Sequence, residues 1–161
     1  MLPHVRYAVA VMAVAASVAV AGDRWSSPDK FYSIIPPDGW KSSESKGPYG
    51  SSYAFTAPDG KSELRISATC HLNLPEVLPE AVLEMAFANE RGLTPIQRIH
   101  GKGWDGLRRE YTDGDETMRW LGVAARRGST AVLLTMQAPA SDFERHRAAF
   151  EAVAQSLQLG Q

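Results

Sequence analysis

Cys70 and His71 stand side by side, and a thiol beside an imidazole is the pairing that makes a thiolate nucleophile or part of a metal site. Their surroundings argue against both. From Ser62 to Leu72 the chain alternates, with Leu64, Ile66, Ala68, Cys70 and Leu72 on one side and Glu63, Arg65, Ser67, Thr69 and His71 on the other. Successive strand residues point to opposite faces, so the two side chains should diverge and Cys70 should be an inert, buried thiol. His71, His100 and His146 give no HxH or HxxxH spacing, so no metal is expected. Asp113-Gly114-Asp115-Glu116 looks like a fragment of a calcium loop. It lacks the alternating ligands and the spaced final Glu, and reads as a charged hairpin tip. There is no GxSxG nucleophile elbow. No phosphate-cradling loop, catalytic residue or cofactor is expected.

One cluster has the chemistry of recognition. If the chain turns a two- or four-residue hairpin at Asp113-Gly114-Asp115, then Leu107, Arg109 and Tyr111 share a face with Met118 and Trp120. Arg109 would then lie over Trp120 or beside it, a cation–π contact. Two readings stay open for Arg109, Tyr111 and Trp120. They are a stabilising cross-strand cluster beneath a helix, or they are a binding patch.

The elements that must position these residues begin after an address. Met1 to Ala21 has Arg6 and the amino terminus as its positive end. An uncharged Ala/Val-rich run follows from Tyr7, and Ala19-Val20-Ala21 closes it as a small-x-small cleavage site. The run is shorter than the ~20 apolar residues that a spanning helix needs. The expectation is a signal peptide over 1–21, cleaved before Gly22, and a mature chain without a membrane span in the periplasm or secreted. Gly22 is not Cys, so no lipid anchor is expected; Arg6 stands alone, so neither is a twin-arginine signal.

Removing 21 of the 161 residues leaves 140, enough for one domain with a core of its own. The signal holds one of the 17 Lys/Arg and none of the 18 Asp/Glu, so the mature net charge is −2. That balance points away from nucleic acid, whose binders carry a basic excess. One cysteine permits no internal disulfide.

Residues 22–29 read as a polar, flexible leader and 30–159 as a single domain. Strands are expected at Phe31–Ile35, Ser52–Thr56, Ser62–Leu72, Thr94–His100, Gly103–Thr112, Thr117–Arg126 and Thr130–Gln137, with a Ser/Gly/Lys loop over 42–50. The two-sided apolar runs at 121–125 and 131–136 predict a sheet covered on both faces. A well-buried helix is expected from about Pro75 to Arg91, stopped at Gly92. A second helix follows a capping box at Ser141-Asp142-Phe143-Glu144, with Phe143, His146, Phe150, Val153 and Leu157 as its apolar stripe.

Phe31-Tyr32-Ser33-Ile34-Ile35-Pro36-Pro37-Asp38-Gly39-Trp40 resembles the strand, Pro, Gly-Trp opening of PsbP-like domains. The order of parts resembles theirs too: hairpins, a middle helix, antiparallel strands and a long terminal helix. The resemblance spans about 30–159. It implies an α+β fold, an α/β/α sandwich around a mainly antiparallel sheet. It carries over no catalytic residues, because that superfamily uses its scaffold chiefly to bind partners. The functional expectation is an exported, non-catalytic binding or adaptor protein with a protein partner. The alternatives are a small envelope hydrolase whose site assembles only in three dimensions, and an inhibitor or immunity-type protein.

Overall fold

The computed structural model describes residues 22–47, 50–70 and 78–160. Residues 1–21, where a signal peptide is expected, lie outside the described residues, as do His71, the expected start of the first helix at 75–77 and the side chain of Cys70. In chain order the strands are β1 (Trp25–Ser26), β2 (Tyr32–Ile34), β3 (Lys41–Gly47), β4 (Gly50–Thr56), β5 (Glu63–Cys70), β6 (Arg91–Gly92), β7 (Gln97–Gly101), β8 (Trp104–Thr112), β9 (Met118–Arg127), β10 (Thr130–Pro139) and β11 (Gln158–Leu159). Helix α1 covers Pro79–Ala86 and helix α2 Phe143–Ser156. The fold is α+β, mostly antiparallel sheet with two helices.

The strands that are apolar on both sides lie inside the sheet, where both faces can be covered. The main sheet runs β3-β4-β5-β10-β9-β8-β6, with β7 also paired to β8. In the middle of it β10 pairs with β5 over Thr130–Gln137 and with β9 over its whole length. Period-two alternation then sorts the side chains. Leu64, Ile66, Leu121, Val123, Val132, Leu134 and Met136 join one core with Phe143, Phe150 and Val153 of α2. Ala124 and Tyr111 point the other way, to Leu83 of α1 and Phe87 just beyond it. The helices therefore pack on opposite faces.

A second, three-stranded sheet, β1-β2-β11, joins the two ends of the described chain. The stretch 22–29, expected as a leader, is partly strand: the Trp25 ring lies 4.9 Å from Tyr53, tilted by 55°, and edge-on to Phe55. Arg24 donates to Ser33 Oγ and to the Ser156 carbonyl. The Ser/Lys segment at 41–47 is a strand and not a loop, paired with β4 from Lys41 to Gly47. Its side chains through Lys46 are exposed, as suits a polar edge strand that resists pairing with other molecules.

Both helices depart from expectation. Within α1, Leu83 alone is buried, and Met85 is 81% exposed. One apolar contact line suffices because α1 is only eight residues long and meets the sheet through Leu83 and Phe87. The close approach depends on Gly122: a Cβ there would come within 2.5 Å of Phe87. For α2 the N-cap residue is Asp142, in helical φ/ψ and without a side-chain capping bond. Glu144 is spent on Arg147 instead, at 2.7 Å, so the capping box does not form.

Candidate functional site

The hairpin between β8 and β9 forms as its sequence requires. Asp113 accepts bonds from the Thr117 amide (2.7 Å), the Thr117 hydroxyl (2.6 Å) and the Met118 amide (3.2 Å), which closes the tip. These bonds, the Thr117 hydroxyl first, hold the Asp113 carboxyl below its ordinary value. The acidic tip is thus occupied with its own backbone. Among the described residues no three His, Cys, Asp or Glu side chains gather into a metal-sized group.

With the register set, Tyr111 lies opposite Trp120, and Arg109, Tyr111 and Trp120 share one face beside α1. Tyr111 is 5% exposed and stacks on Phe87, the rings 3.9 Å apart and 6° from parallel. Burial pushes its phenol up, offset in part by Arg109. Arg109 lies over Tyr111 (5.6 Å) and not over Trp120, and its Nε donates to the Thr94 carbonyl at 2.8 Å. Trp120, half-buried, donates to Gln137 Oε1 at 2.9 Å. The three residues meet as one cluster. Tyr111 is its buried centre, and Arg109 and Trp120 form its half-exposed margin.

That floor continues through Leu107 into an open cleft of about 580 Å³. The start of α1 supplies Leu78, Pro79 and Glu80. The hairpin β7–β8 and strand β9 supply Ile96, Arg98, His100, Asp105, Leu107 and Arg126. This volume falls within the range of small-ligand sites, and the lining mixes apolar walls with a few charges as such sites do. Register accounts for the convergence. His100 pairs with Asp105, which pairs with Arg126, while Arg98 pairs with Leu107. The His100 Nδ1 lies 2.7 Å from Asp105 Oδ1, both side chains well exposed.

Chemically, a carboxylate on Nδ1 orients an imidazole and leaves Nε2 to meet a ligand. The cleft offers that imidazole, the Arg98 guanidinium and an apolar wall. The glycines Gly101, Gly103 and Gly106 have GxGxxG spacing, but here they span strand, turn and strand. No helix follows to face a phosphate, so the pattern serves the turn, with Gly103 at φ +78°.

His146 is elsewhere, on α2, edge-on to Trp40 and stacked on Phe150. Its Nε2 is 3.4 Å from Asp59 Oδ2 without hydrogen-bond alignment. Asp59 accepts from the Lys61 amide (2.8 Å), the Ser62 amide (3.0 Å) and the Ser62 hydroxyl (3.2 Å). Those bonds hold its carboxyl at about 2. Of the two histidines that can be described, His100 is in the cleft and His146 lies beneath the other face.

The sequence did hold a signal for the cleft. Two expected strands, ending at His100 and starting at Gly103, imply a tight hairpin that sets His100 opposite Asp105. The apolar wall left no such trace, because it comes from three separate segments.

Among solved structures, the solution structure of cyanobacterial PsbP (CyanoP) from Synechocystis sp. PCC 6803 matches over 88% of this chain and 95% of its own. The TM-score is 0.65 and the identity 15%. The fold is PsbP-like. A Bacteroides thetaiotaomicron VPI-5482 protein matches with TM-score 0.59 and 16% identity, over 87% of this chain and 49% of that one. A protein of unknown function from Pseudomonas aeruginosa, PA94, matches with TM-score 0.53 and 13% identity, over 86% and 97%. At such identities the likeness concerns the fold alone. No family model and no curated protein matches the sequence. Among the described residues no helix is long and apolar enough to cross a membrane.

Proposed function

We propose that this chain is an exported, non-catalytic binding or adaptor protein, built on the PsbP-like α/β/α sandwich and acting in the periplasm or outside the cell. One observation carries the binding reading. Of the five exposed large hydrophobics among the described residues, four fall between residues 78 and 96: Leu78, Met85, Leu93 and Ile96. Leu78 and Ile96 line the same cleft, and exposed apolar side chains that share a surface mark an interaction site more often than chance exposure does. Beside them lie the half-exposed Arg109 and Trp120 and the open cleft. Aromatic and Arg side chains at the margin of an apolar patch are the types that dominate binding energies. Export rests on the Arg6, apolar-run and Ala19-Val20-Ala21 pattern alone.

The test has two arms. Amino-terminal sequencing of protein recovered from the producing cell should begin at Gly22; a chain still starting at Met1 removes the cleavage claim. Capture from the native envelope should succeed with the wild-type chain and fail with the double variant Met85→Glu/Ile96→Glu at unchanged melting temperature. Capture that survives both changes moves the partner surface elsewhere.

A hydrolase is the second reading, and the His100–Asp105 contact favours it, since a carboxylate-oriented imidazole is the core of many acid–base sites. It needs a nucleophile or a positioned water beside Nε2. His100→Ala separates the two readings: loss of a turnover with partner capture intact supports the enzyme.

A further inference from the structure

The chain holds four Asp-Gly pairs: Asp38-Gly39, Asp59-Gly60, Asp105-Gly106 and Asp113-Gly114. Such a pair can close on itself. The glycine amide nitrogen attacks the aspartyl Cγ, and the amide proton and a carboxyl OH leave as water. The cyclic imide then takes up water again. Breaking the new N–Cγ bond restores aspartate. Breaking the original peptide bond leaves the backbone running through Cβ, as isoaspartate. Water lost is water regained, so the change needs no other reactant. Ring closure is intramolecular, so its rate depends on how freely carboxyl and amide can meet. The protonated carboxyl is the form that loses water.

The fold restrains three of the four. The Asp59 carboxylate accepts from the Lys61 and Ser62 amides and the Ser62 hydroxyl, and the Gly60 amide is tied to the Ala57 carbonyl at 2.9 Å. With its carboxyl held at about 2 against an ordinary 3.8, the acid form of Asp59 is roughly sixtyfold scarcer. Asp113 is held in the same way, by the Thr117 hydroxyl and the Thr117 and Met118 amides, and is likewise lowered. Asp105 faces His100 Nδ1 at 2.7 Å, and Gly106 is buried in the ladder between β7 and β9. Asp38 differs on each count. It is exposed, and among the described residues its carboxyl has no hydrogen-bond or ion-pair partner. The Gly39 amide is exposed too and donates to no group among them. The turn is closed by the Trp40 amide on the Pro37 carbonyl, at a long 3.3 Å. Gly39 takes φ +75°, and a Cβ there would meet no atom within 4 Å, so nothing packs against the turn.

Independently of the binding reading above, we propose that Asp38-Gly39 is a modification site, the position at which the folded chain converts aspartate to isoaspartate, and that the conversion unseats Trp40. The Trp40 ring stands edge-on to His146 at 5.9 Å and to Phe150 at 6.2 Å, and Phe150 is fully buried in the core under α2. Edge-to-face aromatic contacts of this kind add to packing. An isoaspartate at position 38 lengthens the backbone by the Cβ carbon just before Trp40, which draws the ring away from that seat. The product also carries a free α-carboxylate on a short side branch. That group accepts a methyl from S-adenosylmethionine on an isoaspartyl methyltransferase, leaving S-adenosylhomocysteine, and so can be labelled.

The test ages the purified, folded chain for weeks at about pH 6 and about 37 °C, beside a sample kept unfolded in urea. Each is digested, and electron-transfer mass spectrometry separates isoaspartate from aspartate at every Asp-Gly pair. In the folded sample position 38 should convert about tenfold more than each of 59, 105 and 113, because only there are carboxyl and amide both free. In urea the four should convert to similar extents. Asp38→Glu, an exposed change that should leave the starting melting temperature alone, lengthens the side chain and disfavours the ring. It should remove most of the methyl label taken up by the aged, folded protein. The aged wild-type chain should melt below the fresh one, and the aged Asp38→Glu chain should keep its midpoint. Absence of isoaspartate from the folded sample, or conversion at another pair equal to that at position 38, overturns the proposal. A lead for position 38 that persists in urea overturns it as well, since the preference would then lie in neighbouring residues and not in the fold. A midpoint that holds while position 38 converts overturns the link to Trp40.

Discussion

The two faces of the main sheet are built to different standards. Among the described residues, the face under α2 gathers twenty buried residues into one core, and the face under α1 gathers four. The fourteen residues of α2 bury Phe143, Phe150, Val153 and Ala154, and ion pairs tie it to the strands beneath: Arg108 with Glu151, and Arg147 with Glu110. By contrast α1 has eight residues, rests on Leu83 and Phe87, and leaves Leu78 and Met85 in solvent. The lesson is a division of labour. One face carries most of the packing, and the other is lightly packed and leaves apolar side chains exposed.

Substitutions can break that comparison. Phe150→Ala, at a fully buried position, should cost about 3–5 kcal/mol, read as a global drop in denaturation midpoint. Leu83→Ala should cost about 2–3 kcal/mol, since Leu83, though fully buried, belongs to a cluster of only four buried residues. Equal losses would mean that the two faces contribute alike. Gly122→Ala sets a Cβ against Phe87 at 2.5 Å and Leu83 at 3.2 Å and should lift α1, costing about 1–2 kcal/mol. Faster amide exchange confined to α1 would be its signature, and exchange that rises everywhere would contradict the division.

Acid tests the α2 side through Asp59. Asp59 titrates near 2 in the folded chain because the Lys61 and Ser62 amides bond its carboxylate, against 3.8 unfolded. A depressed carboxyl stabilises above the unfolded value and stops doing so below the folded one. Stability should therefore fall between about pH 4 and pH 2, and Asp59→Asn should flatten that fall. The smallest effect belongs to Met85→Glu. It should shift stability by no more than about 0.5 kcal/mol, because the side chain touches little. A large loss there would mean that α1 is buried in a self-association.

Most of the sheet was legible, because alternation over Glu63–Ala68 and the two-sided runs at 121–125 and 131–136 allow few other arrangements. Ser42 to Lys46 misled: a serine-rich run lacks strand propensity, and pairing with Tyr53 and Phe55, which are anchored in the core, overrides it. The first helix misled in the other direction. Its apolar residues ring the axis, and sequence does not reveal that one face stays uncovered. Arg109, Tyr111 and Trp120 were brought together on paper by hairpin register alone. The cleft was not, because Leu78, Ile96 and Leu107 belong to three segments that only the packing of α1 against the sheet unites.

The small sheet β1-β2-β11 has a consequence for timing. Tyr32 pairs with Leu159, and Gly160 donates to the Phe31 carbonyl at 2.7 Å, so the earliest described elements are completed by residues some 125 positions later. A chain emerging residue by residue cannot satisfy β2 until residue 159 is free to reach it. Loop closure of that length is slow compared with local pairing. The small sheet therefore stays incomplete until synthesis has passed residue 159, and the finished fold then holds Trp25 and Leu159 in one sheet, where cutting and rejoining the chain as a circular permutant would disturb the main sheet least.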